Sequence, residues 1–200
     1  MVGAIILAAG ASTRMGSPKA LLRIGEKTFL QHIVDALTEA GVHDIVIVLG
    51  AHAQTIQQDL GWFHRTVVIN KQWERGQLSS TITGLHTLST QNLEAILLCP
   101  VDRPLITPTL ISGMIKSFKN NRTQIVVPTY SGRRGHPLLV GSSLFHELEH
   151  LTGQLGVREL LSNHRNDVLE FSTDNDGIVQ NIDTPEDYEI NILRPFLHQE

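Results

Sequence analysis

Between residues 10 and 19 the chain gathers Gly10, Ser12, Thr13, Arg14, Gly16 and Lys19. Small residues let backbone N–H groups approach a ligand, two hydroxyls add hydrogen-bonding capacity, and Arg14 and Lys19 supply fixed positive charge. Together they suit a run of phosphate oxygens. A second chemistry-bearing residue is Asp102, within Pro100-Val101-Asp102-Arg103-Pro104. The flanking prolines hold this carboxylate stiffly, and magnesium favours one or two carboxylates combined with substrate phosphates, so Asp102 is the candidate Mg²⁺ ligand.

Spacing excludes two common phosphate loops. A P-loop needs four residues between its glycines and a lysine directly after the second, whereas five residues separate Gly10 from Gly16 and Lys19 comes three positions later. The dinucleotide fingerprint needs glycines at alternate positions, and here Ala11 and Ser12 follow Gly10.

Three further stretches carry polar or basic groups. Asn70 to Ser80, with Gly76, Ser79 and Ser80, stands before a helix ending near Leu88, where hydroxyls and amides can read a base edge or ribose, or simply cap the helix. Arg133 and Arg134 sit between Gly132 and Gly135 in a basic, hairpin-like loop expected to flex and close on a second phosphate-bearing substrate. Residues 146 to 150 read His-Glu-Leu-Glu-His, which fits a zinc-protease motif. On a helix, however, Leu144, Phe145, Leu148 and Leu151 share one face and leave His146 and His150 on the other, facing water. A catalytic zinc helix needs those histidines aimed inward.

These residues need a frame. Ala4 to Leu7 reads as a buried central strand running into the Gly10 loop. Thr28 and Gln31 form a capping box, and apolar positions 33, 34 and 37 with a stop at Gly41 predict a helix over 29–40. Strands are expected over 44–49, 66–69, 94–99, 125–128 and 138–140, and helices over about 53–60 and 107–119. The β, α, β order implies right-handed crossovers and a single-domain, doubly wound, mostly parallel sheet. Its ligand crevice belongs at the carboxyl ends of the strands, where the Gly10 loop and Asp102 fall. Thr184, Pro185 and Asp187 make a helix start, with Asp183 one residue outside the cap.

Bulk properties narrow the ligand class. Two hundred residues with 41% hydrophobic content fit one globular α/β domain. A net charge of -4 argues against general nucleic-acid binding, so phosphate affinity must be local. Cys99 is the single cysteine, and the N-terminal apolar run is short for a signal peptide or a membrane span, which predicts a cytoplasmic chain without a membrane partner.

Residues 7 to 19 resemble the L-A-A-G-x-S-x-R-M-G-x-x-K signature of molybdenum cofactor cytidylyltransferase-like nucleotidyltransferases. The resemblance implies a Rossmann-like nucleotidyltransferase fold. It also implies a nucleotide site built from Leu7, Ala8, Ala9, Gly10, Ser12, Gly16 and Lys19, with Asn70, Gly76, Ser79 and Ser80 against the nucleoside. Asp102 corresponds to the family's D-x-P aspartate, with Val101 where glycine is frequent, and Asp183 resembles the second acidic metal ligand. Arg133, Arg134, Gly135 and His136 fall in a G-x-x-G-H-P-like loop on the acceptor side. The stretch Gly153 to Leu161 resembles G-x-x-G-x-R-x-L-L and adds Arg158.

The implied reaction is in-line attack of an acceptor phosphate on the α-phosphorus of a nucleoside triphosphate. Two unit charges about 4 Å apart repel by about 4 kcal/mol at an effective dielectric of about 20, and this must be offset. Lys19 and Arg14 along the phosphates, and Mg²⁺ on Asp102 and Asp183, would do so, with no protein nucleophile required. CTP as donor and molybdopterin as acceptor are implied, with transient contact to a molybdoenzyme receiving the product. A sugar- or polyol-phosphate nucleotidyltransferase, the guanylyl branch, which usually has glycine at position 9 and aspartate at 18, and a noncatalytic nucleotide- or cofactor-binding chaperone stay as alternatives.

Overall fold

A computed structural model describes residues 1–88, 92–152 and 156–197. In chain order the elements are β1 (Val2–Ala8), β2 (Arg23–Ile24), β3 (Lys27–Thr28), α1 (Phe29–Glu39), β4 (Asp44–Leu49), α2 (Ala53–Asp59), β5 (Thr66–Ile69) and α3 (Gln77–Thr87). There follow β6 (Ala95–Pro100), α4 (Pro108–Asn121), β7 (Ile125–Tyr130), β8 (Arg133–Arg134), β9 (Leu138–Gly141), α5 (Phe145–His150), α6 (Val157–Asn163), β10 (Val168–Ser172) and α7 (Pro185–Tyr188).

One mixed sheet runs in the order β10-β7-β9-β6-β1-β4-β5, with β8 on β7. The pairs β1–β4, β1–β6, β4–β5 and β7–β10 are parallel, and β9 is antiparallel to both neighbours. The expected mostly parallel, doubly wound architecture is therefore present. Alternate residues of each central strand feed opposite faces. Ala4 and Ile6 of β1 pack with α1, α2 and α4, whereas Ile5 and Leu7 pack with α3, α5 and α6. Burial on both faces is why these strands read as unbroken apolar runs.

Local chemistry sets the ends. Thr28 Oγ1 accepts from Gln31 N at 3.2 Å while Gln31 Oε1 accepts from Thr28 N at 2.7 Å, which starts α1 at the expected residue. Gly41 ends it at φ +83°, a conformation that costs glycine little. The strand anticipated over 94–99 lies one residue later, and β7 extends to Tyr130 because Thr129 and Tyr130 pair with Arg134 and Arg133. Gly84 lets α3 settle onto β1, since a Cβ there would meet Ile5 Cγ2 at 2.4 Å.

Candidate active site at the carboxyl edge of the sheet

Three separate segments converge where β1 and β6 end. β1 delivers the Gly10 loop, in which Ser12 has φ +51° and its Oγ accepts from Lys19 N at 3.3 Å. Lys19 opens a short 3-10 helix after Pro18, so its side chain turns back under that loop. β6 delivers Asp102, tied in place by Val101 N donating to Leu7 O at 3.1 Å. The segment before α7 delivers Asp183, whose N–H donates to Asp187 Oδ2 at 3.0 Å, while Ile182 N donates to Asp102 O at 2.9 Å. The last bond stitches the two acidic segments together.

Lys19 Nζ hydrogen-bonds Asp183 Oδ1 and stands 3.8 Å from Asp102 Oδ2. Arg14 Nη2 approaches Asp183 Oδ2 at 3.0 Å, although the arginine is largely exposed. Burial pushes the Asp102 carboxyl above the usual carboxylate range, with Lys19 opposing. Desolvation acts the same way on Asp183, yet the hydrogen bond and charge of Lys19, with Asn181 and Arg14, hold it below that range. Asp102 Oδ1 is buried and has no hydrogen-bond partner among the described residues. No cluster of three or more His, Cys, Asp or Glu able to hold a metal occurs among them. Two carboxylates, one with an unpartnered oxygen, match a divalent cation that takes its remaining ligands from phosphate and water.

Two cavities flank this group. The smaller, about 370 Å³, is lined by Leu7, Ala8, Ala9, Gly10, Ser12, Lys19, Gly76, Ser80 and Asp102 of the expected residues, and also by Trp73, Glu74 and Gln77. Gly16 and Arg14 do not line it. Gly16 instead shapes the loop at φ +75°. Asn70 is also not in its wall. It lines the larger cavity with Ser79 instead, while its amide donates to Ser79 and Ser80 Oγ at 2.8 and 3.0 Å and its oxygen accepts from Gln72 N, so its polar groups also brace the turn. Ser79 donates to Gly76 and Gln72 carbonyls, and Gly76 caps α3 without a serine side chain, so the helix-capping alternative for the serines falls away.

The larger cavity, about 1050 Å³, extends toward β7 and β9. Its floor includes Leu98, Val127 and Leu138, and its rim carries Lys71, Arg75, Arg103, Arg134 and Arg158, with no carboxylate among its described lining residues. Gly135 and His136 line it as well, whereas Arg133 is exposed and outside it. The loop expected to flex is a tied hairpin. Gly135 N donates to Pro128 O at 2.8 Å, His136 N to Ile178 O at 3.0 Å, and Arg134 pairs with Glu170 at 2.8 Å. A Cβ on Gly135 would meet Ile178 O at 2.4 Å, so glycine is required for this approach. Burial, then the nearby Arg103 charge, lowers the His136 pKa to about 4, and its Nδ1 is buried without a partner among the described residues.

Arg103, Arg75 and Trp73 were not singled out by sequence reasoning. For Arg103 the available signal was its place directly after Asp102, since adjacent residues beyond a strand end can face opposite sides of a crevice. Of the Gly153 to Leu161 stretch, residues 153–155 lie outside the described residues. Arg158 follows in α6. Phe145 and Leu148 are buried and His146 and His150 exposed, as the amphipathic pattern requires. No helix of the described residues is long and apolar enough to cross a membrane.

Residues 4–168 match the MobA-like NTP transferase domain. The chain is 31% identical over 196 residues, 92% of it and 93% of the relative, to nicotine blue oxidoreductase of Paenarthrobacter nicotinovorans. It is 28% identical to a probable molybdenum cofactor guanylyltransferase of Natranaerobius thermophilus, covering 94% and 93%. Among solved structures, Rv0371c of Mycobacterium tuberculosis superposes with a TM-score of 0.85 at 29% identity over 96% of this chain and 97% of that one. The same protein has also been solved in complex with manganese. The loop, the edge-of-sheet crevice and the match over most of the length agree: the chain belongs to the MobA-like NTP transferase domain family and is a nucleotidyltransferase.

Proposed function

We propose that the chain transfers a nucleoside monophosphate from CTP to a phosphate-bearing acceptor, molybdopterin or its molybdenum-loaded form, with release of pyrophosphate. The observation carrying this reading is the convergence of Asp102 and Asp183, from turns far apart in sequence, on Lys19 beneath the Gly10 loop. In the reaction an acceptor phosphate oxygen bonds the α-phosphorus and the bond from that phosphorus to the bridging oxygen of the β-phosphate breaks. Lys19 offsets charge on the phosphate tail, exchanging its carboxylate contact for phosphate oxygens, and Arg14 does the same from the exposed side. The backbone of Ala8, Ala9 and Gly10 with Gly76 and Ser80 holds the nucleoside end. Asp102 and Asp183 would hold Mg²⁺, which supplies charge neutralisation at the reacting phosphates when bound.

CTP is preferred because position 9 is alanine and position 18 proline, where the guanylyl branch usually has glycine and aspartate. The guanylyltransferase name of the Natranaerobius relative supports GTP instead, and binding decides. With Mg²⁺ present, CTP at about 100 times its Kd should stabilise the protein by about 2.7 kcal/mol. A larger thermal shift with GTP overturns the choice of base. Pyrophosphate release that depends on molybdopterin supports the acceptor, and release with a sugar phosphate alone reassigns it. The oxidoreductase name of the Paenarthrobacter relative offers a second reading, favoured by the apolar floor of the larger cavity, which suits a flat conjugated ligand. Absence of pyrophosphate release with every triphosphate would favour that second reading. The cationic, wide acceptor cavity also supports hand-over of product to a receiving molybdoenzyme by transient contact.

A further inference from the structure

Arg103 occupies the junction between the two cavities. Asp102 lines the smaller one and Arg103, its neighbour in sequence, lines the larger. Its Nη1 donates to Ile178 O at 2.5 Å, the same carbonyl that accepts from His136 N at 3.0 Å. With Ile182 N on Asp102 O, these bonds fasten the Asp102 turn, the His136 loop and the Asp183 segment into one unit. A guanidinium has five N–H donors in a planar fork, and one bond to a carbonyl leaves the others to face the cavity.

The surroundings leave that fork available to an anion. No carboxylate is among the described lining residues of the larger cavity; the charges of Asp102 and Asp183 reach Arg103 from outside that lining, and His136 beside it is held neutral. Arg103 is half-buried, so its interaction with a phosphate is less screened than that of the exposed Arg158 on the rim. We propose that Arg103 binds the attacking phosphate of the acceptor and holds it beside Asp102, at the point where the two cavities meet. This assigns the acceptor a terminal phosphate as its recognition element and selects against nucleophiles that present a neutral hydroxyl. The inference rests on the nucleotidyl-transfer reading given above.

The test is binding of inorganic phosphate to the full chain saturated with Mg²⁺ and a nonhydrolysable CTP analogue, so that the nucleotide site cannot take up the probe. Arg103→Met should weaken phosphate binding at least about tenfold, while Arg103→Lys, which keeps charge but not the fork, should fall between it and the unaltered chain. Nucleotide affinity should stay within about twofold in both, and Arg165→Met, an exposed arginine elsewhere, should leave phosphate binding unchanged. Should the methionine variant not fold, the lysine variant alone decides, because equal phosphate affinity there overturns the assignment. Phosphate binding that ignores position 103, or no phosphate binding by a chain that the nucleotide stabilises, overturns this inference and leaves the transfer reading standing. A chain that no nucleotide stabilises overturns both.

Discussion

The two cavities share the carboxyl edge of one sheet but balance their charges in opposite ways. At the smaller, Lys19 contacts two carboxylates, Asp102 in the lining and Asp183 outside it, and those acids are pushed apart, Asp102 upward by burial and Asp183, against its own desolvation, downward by Lys19. In the larger, five cations line the wall with no carboxylate among the described lining residues, although Arg134 is paired with Glu170 outside that lining. A site with internally compensated charge can redistribute it as a reaction proceeds, whereas an uncompensated basic cavity attracts and orients an anion. On the proposed reading the contrast separates chemistry from recognition, and substitutions on each side should fail differently.

The largest expected effect is on the compensated side. Lys19→Ala and Asp102→Ala should each lower turnover at least about 100-fold, the scale of losing one transition-state electrostatic contact, in a pyrophosphate-release assay. A wild-type-like rate in either removes that residue from the mechanism. On the basic side, His136 gives a pH signature. The unfolded chain protonates this ring near 6.5, while the folded chain refuses the proton until about pH 4. The unfolded state therefore binds more protons in that window, so stability is full above 6.5 and is lost as pH falls toward 4. Allowing for partial exposure of the ring, about 2 kcal/mol should disappear, and urea unfolding at both ends of the window should show a flatter profile for His136→Gln.

Smaller effects sharpen the division. Arg158→Ala should raise the acceptor KM about tenfold with kcat and the KM for the triphosphate within about twofold, the pattern of lost ground-state binding. A fall in kcat alone would move Arg158 to the chemical side. Gly84→Ala offers a control, because α3 contributes residues to both cavities. Overpacking against Ile5 costs about 1–3 kcal/mol and the helix preference for alanine returns about 1, so urea unfolding should report a net loss of about 1 kcal/mol. Nucleotide and acceptor binding should weaken together, if at all.

Much of the frame was legible because its signals are local. The Thr28 box, the proline after Thr107 and the glycine after Ala40 fix ends through backbone groups within a few residues, and the apolar strands report burial on both faces. Other assignments needed partners distant in sequence. Asn70 reads as a nucleoside contact from its type and place, and only the fold shows that its side chain also bonds Ser79, Ser80 and Gln72 at the wall of the larger cavity. Arg133 and Arg134 read as one mobile pair, yet pairing with β7 turns one toward Glu170 and leaves the other outside the cavity.

The amino-acid order by itself determined the strand and helix succession, the glycine-containing loop after β1 and the placement of Asp102 at a central strand end, since each depends on neighbouring residues and on side-chain period. Tertiary structure decided that Asp183 meets Lys19, that β9 enters antiparallel beside β6, and that residues 102 and 103 face different cavities. Those outcomes depend on how segments widely separated in the chain pack against one another, and spacing within a single segment cannot encode them.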